Sequence, residues 1–385
     1  MAPFVTSIEA STSEQSLSKS IVKGNTAFAV QLYNVLGATE GNLFFSPYSV
    51  SSALGMTYAG ARGNTAKEMA EVLHFDLSQT ELHSAFKGMN KELAATAQKS
   101  GQKLNIANAL VLSGGNVSGE FKSILKDSYD AEIFSGGLDK INGWVKKKTE
   151  GKIEKILEEL SANSVCVLLN AIYFKGIWES QFENRYTRDA PFSVSASKQV
   201  KIPLMYQKSD FKILTEKDFQ AISIPYKGND LSMIILLPQT VDGLVLMEKQ
   251  LTDQNLKEWL AKLDKQSIQK VELYLPKFKL ETNYDLVSPF KTMGMKDAFK
   301  INVADFSGMG WPKGKLWISQ IKHKAFVEVN EEGTEAAAAT AVEMATKSIH
   351  NDPVFRADHP FLFIIRDNQS GSIVFMGRMI NPDNK

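Results

Sequence analysis

The chain has 385 residues, 43% of them hydrophobic and 23% charged, with a formal net charge of +1. That balance is globular: it is too apolar for intrinsic disorder, and the near-neutral charge gives no whole-chain bias toward nucleic acid or an anionic membrane. The single cysteine, Cys166, excludes an intrachain disulfide and a cysteine-based metal site, and no run of eighteen apolar residues marks a membrane span.

The length exceeds that of a usual domain, yet no Pro/Gly/Ser-rich linker divides it, so the reading is one large α/β unit. Residues 1–20, serine-rich from Ser7 to Ser18, read as a polar N-terminal extension, and residues 21–385 as the folded unit. A helical pattern begins at Asn25, with Phe28, Leu32, Tyr33 and Leu36 recurring on one face. Ser46-Pro47 places a capping hydroxyl before a proline, the preferred order at a helix start, and Leu54, Met56 and Tyr58 continue inside that helix. Ile141 to Leu160 reads as an amphipathic helix: Trp144, Val145, Ile153, Ile156 and Leu157 interleave with Lys146, Lys147, Lys148 and Glu150.

From Cys166 the pattern turns to strands, at Val167–Phe174, Phe211–Leu214, Ala221–Pro225, Leu231–Leu237 and Val271–Leu275, with short helices at Leu244–Leu251 and Asn255–Leu263. Cys166 opens the first of these runs and reads as a buried structural thiol. Alternation along Ile321, His323, Ala325, Val327 and Val329 puts His323 on an apolar strand face, the position of a satisfied core histidine. Pro360–Ile365 and Ile373–Gly377 flank a polar turn and read as a buried hairpin, so the C-terminus is a core element.

Enzyme signatures are missing: there is no G-x-S-x-G, no H-E-x-x-H and no G-x-x-x-x-G-K-[ST]. Gly308–Gly314 has the wrong spacing for a phosphate loop, and Pro312 opposes a continuing helix. No catalytic residue, metal or cofactor is expected.

The run Glu331-Glu332-Gly333-Thr334-Glu335-Ala336-Ala337-Ala338-Ala339-Thr340 carries two readings. Propensity assigns a surface helix from Thr334. Parity allows a strand, because Thr334, Ala336, Ala338, Thr340, Val342 and Met344 share one uncharged face and Glu335 and Glu343 fall on the other. Ordered blocks accompany it: Phe45-Ser46-Pro47; Asn142-Gly143-Trp144-Val145; Thr149-Glu150-Gly151-Lys152-Ile153; Asn170 through Gly176 with Trp178 and Phe182; Leu275-Pro276-Lys277-Phe278; and Asp358-His359-Pro360-Phe361. Spanning roughly residues 25 to 380, they resemble the serpin (serine protease inhibitor) family, of the inhibitory type.

The resemblance implies a fold of three β-sheets, about nine helices and an exposed reactive loop at about 331–357. It also implies a monomeric, single-use trap: a serine protease acylates the loop, which then inserts into the main sheet. Family spacing from Gly333 puts the bait bond at Lys347-Ser348, which suits a trypsin-like protease, with Met344 as the runner-up bait for an elastase-like or chymotrypsin-like one. Ser46, Ser49, Asn170 and His323 match residues that hydrogen-bond beneath the main sheet, and Glu331 and Lys277 match an ion pair at its top. The alternative is a non-inhibitory serpin serving as carrier or storage protein, which the small-residue hinge disfavours.

Consecutive Lys146, Lys147 and Lys148 fan around a helix, so a heparin-like polyanion is not expected; neither is a nucleic acid or a membrane. Asn116 and Asn368 head glycosylation sequons. The start Met1-Ala2-Pro3-Phe4-Val5-Thr6 has no apolar leader core, which fits a cytoplasmic protein or a mature secreted chain; the polar extension and the ending Asn381–Lys385 favour the extracellular reading.

Overall fold

A computed structural model describes the backbone of residues 4–160, 164–334 and 352–383, and the side chains of 16–160, 164–333 and 352–383. In the first half, helices dominate: α1 (Phe4–Leu36), β1 (Leu43–Phe45), α2 (Pro47–Tyr58), α3 (Gly63–Leu73), α4 (Gln79–Lys99), β2 (Lys103–Leu112), α5 (Gly119–Tyr129), β3 (Glu132–Phe134) and α6 (Leu138–Lys148). Strands follow: β4 (Cys166–Ile177), β5 (Arg188–Ser195), β6 (Lys198–Thr215), β7 (Phe219–Pro225) and β8 (Leu231–Pro238). After α7 (Leu244–Lys249) and α8 (Asp253–Asp264) come β9 (Ile268–Pro276), β10 (Phe278–Asp285), α9 (Val287–Met293), β11 (Ile318–Val329), β12 (Gly333–Thr334), β13 (Val354–Arg356), β14 (Phe361–Asp367) and β15 (Ile373–Met379).

Two hydrogen-bonded sheets organise these strands. One has six strands in the order β10-β11-β4-β2-β3, with β12 added to β4. The other has nine, in the order β1-β15-β14-β8-β7-β6-β9-β13, with β5 on β6. The 18-residue β6 joins two lobes of this second sheet: Lys212–Thr215 pairs with β7, whereas Leu204–Lys212 pairs with β9. The three sheets expected from the resemblance are therefore the six-stranded sheet and these two lobes, which share one strand. Among the described residues there are nine α-helices.

The six-stranded sheet is covered on both faces, which is why β4 reads as an apolar run from Cys166 to Phe174 broken only by Asn170. Leu168, Ile172 and Phe174 of β4 enter the main core with Leu54 and Met56 of α2. Val167, Leu169, Ala171 and Tyr173 face a second cluster with Ile141, Val145, Ile153, Ile156 and Leu157. All twelve residues of α2 are buried, so it lacks a polar face; Ser49 finds partners inside, whereas Ser52 Oγ has none among the described residues. The C-terminal hairpin β14–β15 is buried at every position, as its sequence indicates.

Two segments differ from the sequence reading. The helix expected over Ile141–Leu160 stops at Lys148: Thr149 Oγ1 donates to Val145 O (2.8 Å) and accepts from Ile153 N (3.1 Å), while Glu150 and Gly151 adopt positive φ. Asn142 then holds the following chain, its Oδ1 accepting from Ile156 N (2.9 Å) and Leu157 N (3.1 Å) and its Nδ2 donating to Leu157 O (2.9 Å). The buried isoleucines imitate a helical period while lying on a side-chain-capped connector. The second difference is at the start, where α1 begins at Phe4, inside the segment read as a polar extension.

Candidate functional site

Where β4 and β11 lie side by side, four polar or aromatic residues cross the six-stranded sheet in one row: Asn108 on β2 is opposite Asn170 on β4, Asn170 opposite His323 on β11, and His323 opposite Tyr284 on β10. Ser46 caps α2 beneath them, because its hydroxyl accepts from Ser49 N (3.1 Å) while donating to Val374 O on β15 (2.5 Å). The backbone N–H of Ser46 can only donate, so His323 Nε2, 3.0 Å away, is the unprotonated nitrogen. His323 Nδ1 therefore carries the proton and donates to Asn170 Oδ1 at 2.5 Å. Asn170 Nδ2 donates onward to Asn108 Oδ1 (2.6 Å) and to Ser49 Oγ (2.6 Å).

Ser46, Ser49, Asn108, Asn170 and His323 are thus one closed network tying α2 to three adjacent strands and to β15, and all five are buried. Burial holds His323 neutral, its pKa lowered to about 3. With both ring nitrogens engaged, it is no surface base. Cys166 is equally inert, its thiol pushed up to about 12 by burial. Asn108 was not singled out from sequence; its place beside Ile106 and Leu110 on one strand face was the available signal.

The β4–β11 ladder is parallel and runs to Tyr173↔Phe326. Beyond that point β4 pairs instead with β12, Gly333 opposite Ile177 and Thr334 opposite Gly176, in antiparallel sense. Gly333 has φ +150°, and a Cβ there would sit 2.0 Å from Gly176 O, so close backbone approach demands glycine. The segment before it is pinned: Glu331 O accepts from Phe182 N (2.8 Å), Glu332 O from Trp178 N (2.9 Å), and Asn330 O from Trp178 Nε1 (3.0 Å). Lys277 Nζ lies 2.8 Å from Glu331 Oε2. Burial raises the Glu331 pKa, but hydrogen bonds from Lys277 and Thr187 outweigh it, and the carboxyl ends below its usual range.

After the segment that follows β12, Asp352 pairs with Lys208 at 2.5 Å, and Pro353 O accepts from Glu272 N at 3.0 Å before β13 docks parallel on β9. Both ends of the intervening segment are therefore tied beside the β6–β9 pair. The hinge residues Glu335, Ala336, Ala337, Ala338, Ala339 and Thr340, the bait bond Lys347-Ser348 and the runner-up Met344 lie outside the described residues. Along Cys166–Tyr173, β4 and β11 are direct neighbours with no strand between them.

Of the glycosylation candidates, Asn116 is exposed. Asn368 spends its amide on Asn229 O and Ser232 Oγ, both at 2.8 Å. Lys148 pairs with Glu132 (2.6 Å) and Lys146 with Glu154 (3.5 Å), which offsets part of the lysine run.

The sequence profile of the family described as Serpin (serine protease inhibitor) matches residues 23–382. Among curated proteins, Serpin B6 of Macaca fascicularis is 41% identical over 381 residues, covering 94% of this chain and 99% of its own. Leukocyte elastase inhibitor of Equus caballus is 40% identical over 379 residues, covering 93% and 98%. The solved native-state structure of a thermophilic serpin, Tengpin, superimposes with a TM-score of 0.85 at 29% identity, over 94% of each chain.

Proposed function

The chain belongs to the family described as Serpin (serine protease inhibitor), and from that premise we propose that it is a single-use trap for a trypsin-like serine protease, with Lys347-Ser348 as the bait bond. The observation that carries the reading is the mouth between β4 and β11, where Gly333 and Thr334 already occupy the first rungs of a strand antiparallel to β4. Gly333 to Lys347 covers fifteen residues, about 50 Å of extended chain at about 3.3 Å per residue. A protease acylated at Lys347 is carried that distance as the loop adds to the sheet.

About a dozen new ladder hydrogen bonds at ~1 kcal/mol net each amount to on the order of 10 kcal/mol, comparable with the stability of a whole domain. The uncleaved fold is then metastable, and cleavage releases the difference. Speed matters as much, because insertion has to outrun hydrolysis of the acyl bond. The face from Thr334 to Met344 bears no charge whose desolvation delays it.

Lys347 directs the trap to proteases with an acidic primary pocket. A second reading rests on the relatives named leukocyte elastase inhibitor: Met344 as the bait and an elastase-like target. Titration of trypsin, chymotrypsin and pancreatic elastase separates the two. Near-equimolar loss of trypsin activity at the highest rate supports Lys347, and faster inhibition of elastase moves the bait to Met344.

The likeness to Serpin B6 and leukocyte elastase inhibitor favours the cytoplasmic alternative. The extracellular expectation gains no support, since it rested in part on a polar extension whose residues from Phe4 are helical. The glycoprotein expectation is likewise unsupported, and the Asn368 amide is already occupied.

A further inference from the structure

Beside both ends of the bait segment, the lobe built from β5, β6, β9 and β13 carries a cavity of about 330 Å³ lined by Tyr186, Arg188, Leu204, Tyr206, Tyr274 and Arg356. Tyr206 and Tyr274 are directly opposite across β6 and β9, with ring centroids 4.9 Å apart. Tyr186 meets Tyr206 edge-on at 6.1 Å, and the Arg356 guanidinium lies 4.6 Å over the Tyr274 ring. The three phenol hydroxyls make no hydrogen bond among the described residues. Arg356 is paired through Nε with Asp358 (2.9 Å). Arg188 is different: it donates only to Thr187 O (2.8 Å) and has no carboxylate partner among the described residues.

The rim of the cavity touches the loop's two stems. Thr187, between Tyr186 and Arg188, donates to Glu331 Oε1 at 2.8 Å, two residues before Gly333. Arg356 follows Asp352, the first described residue after the segment, by four residues. Both stems of the intervening segment thus border this face.

We propose that the cavity receives an acidic side chain from a surface loop of the target protease, as a second contact beside the bait. This rests on the inhibitory reading above. The chemistry selects the occupant: a basic group meets two guanidiniums, and an apolar one leaves Arg188 and three hydroxyls unpaired as they are covered. A carboxylate takes Arg188 and the phenols together. Tyrosine and arginine are also the residues that concentrate binding energy in small interface patches. Because the contact is charged and lies at the edge of the encounter, it acts on the association rate and leaves the bait bond unchanged.

The test is the second-order rate constant of inhibition, measured with each of trypsin, chymotrypsin and pancreatic elastase that forms a stable complex with the wild type, at about 50 and about 300 mM NaCl. Arg188→Gln is expected to lower it about 3-fold and Arg188→Glu about 10-fold at low salt, with a weaker salt dependence. The stoichiometry, the bond cleaved and the thermal midpoint should stay those of the wild type, since Arg188 is exposed. Equal rate constants for wild type and Arg188→Glu with every protease that forms the complex would overturn the second contact while leaving the trap intact. Failure of the wild type to form a complex with any of the three would overturn the inhibitory reading and this contact with it.

Discussion

Glu331 uses both carboxylate oxygens: Oε2 is 2.8 Å from Lys277 Nζ and Oε1 accepts the Thr187 hydroxyl at 2.8 Å, with its side chain only 6% exposed. The pair sits where the β4–β11 ladder gives way to β12, so it restrains the segment that an inserting strand must follow. Lys277→Glu replaces the attraction with repulsion. Since Lys277 is 37% exposed, the loss is on the order of 2 kcal/mol, between a surface and a buried pair. Size-exclusion chromatography after mild heating should show oligomers of this variant at a lower temperature than wild type; identical elution would remove the restraint from the account.

A second prediction concerns pH. His323 has its folded pKa lowered to about 3 by burial, against an ordinary value of 6.5. The unfolded chain therefore binds the extra proton first as pH falls, so stability is full above pH 6.5 and is lost progressively down toward pH 3. Between pH 6.5 and about 4.5 the loss is on the order of 3 kcal/mol. Protonated Nε2 also faces the Ser46 N–H donor to donor, which opens the network under the sheet. The denaturation midpoint of His323→Gln should depend less on pH over this window than that of wild type. Parallel curves would contradict the assignment.

Asn142 supports the connector that crosses the sheet's outer face. Asn142→Ala leaves the N–H groups of Ile156 and Leu157 without their acceptor, which costs about 2–3 kcal/mol. Urea unfolding should show that loss together with faster amide exchange at Ile156 and Leu157. An unchanged exchange pattern would mean the connector is held by its apolar residues alone.

These elements show what was legible from sequence. Ser46-Pro47 marks the α2 start because cap and proline act within one turn, and β4 is recognisable because burial on both faces needs a mostly apolar run, broken here only at Asn170 before Lys175. His323 lies on the strand face that its alternation assigns, and its Nδ1 donates to Asn170 Oδ1. The connector after α6 was not legible, since Asn142 reaches fourteen and fifteen residues along the chain and nothing local signals it. Asn108 had a local cue in its apolar strand face, but its partner is sixty-two residues away. The two lobes sharing β6, and the Lys208–Asp352 tie, are matters of tertiary register that no local pattern encodes.

In the proposed trap, Thr334 is the first residue of the face that the inserting strand would bury. Thr334→Arg should leave cleavage at Lys347 intact while abolishing stable complexes, because burying an unpaired charge slows insertion past hydrolysis of the acyl bond. Gel analysis with trypsin reads both outcomes at once. Undiminished complex formation would sink the insertion argument.

The central claim is a covalent trap sprung at Lys347. The direct measurement is incubation of the purified protein with trypsin, followed by a denaturing gel and the mass of the small C-terminal fragment. The account predicts a complex that survives denaturation and a fragment beginning at Ser348. Cleavage at that bond without a complex would contradict the trap and indicate a carrier or storage serpin, and a complex whose fragment begins elsewhere would contradict the bait.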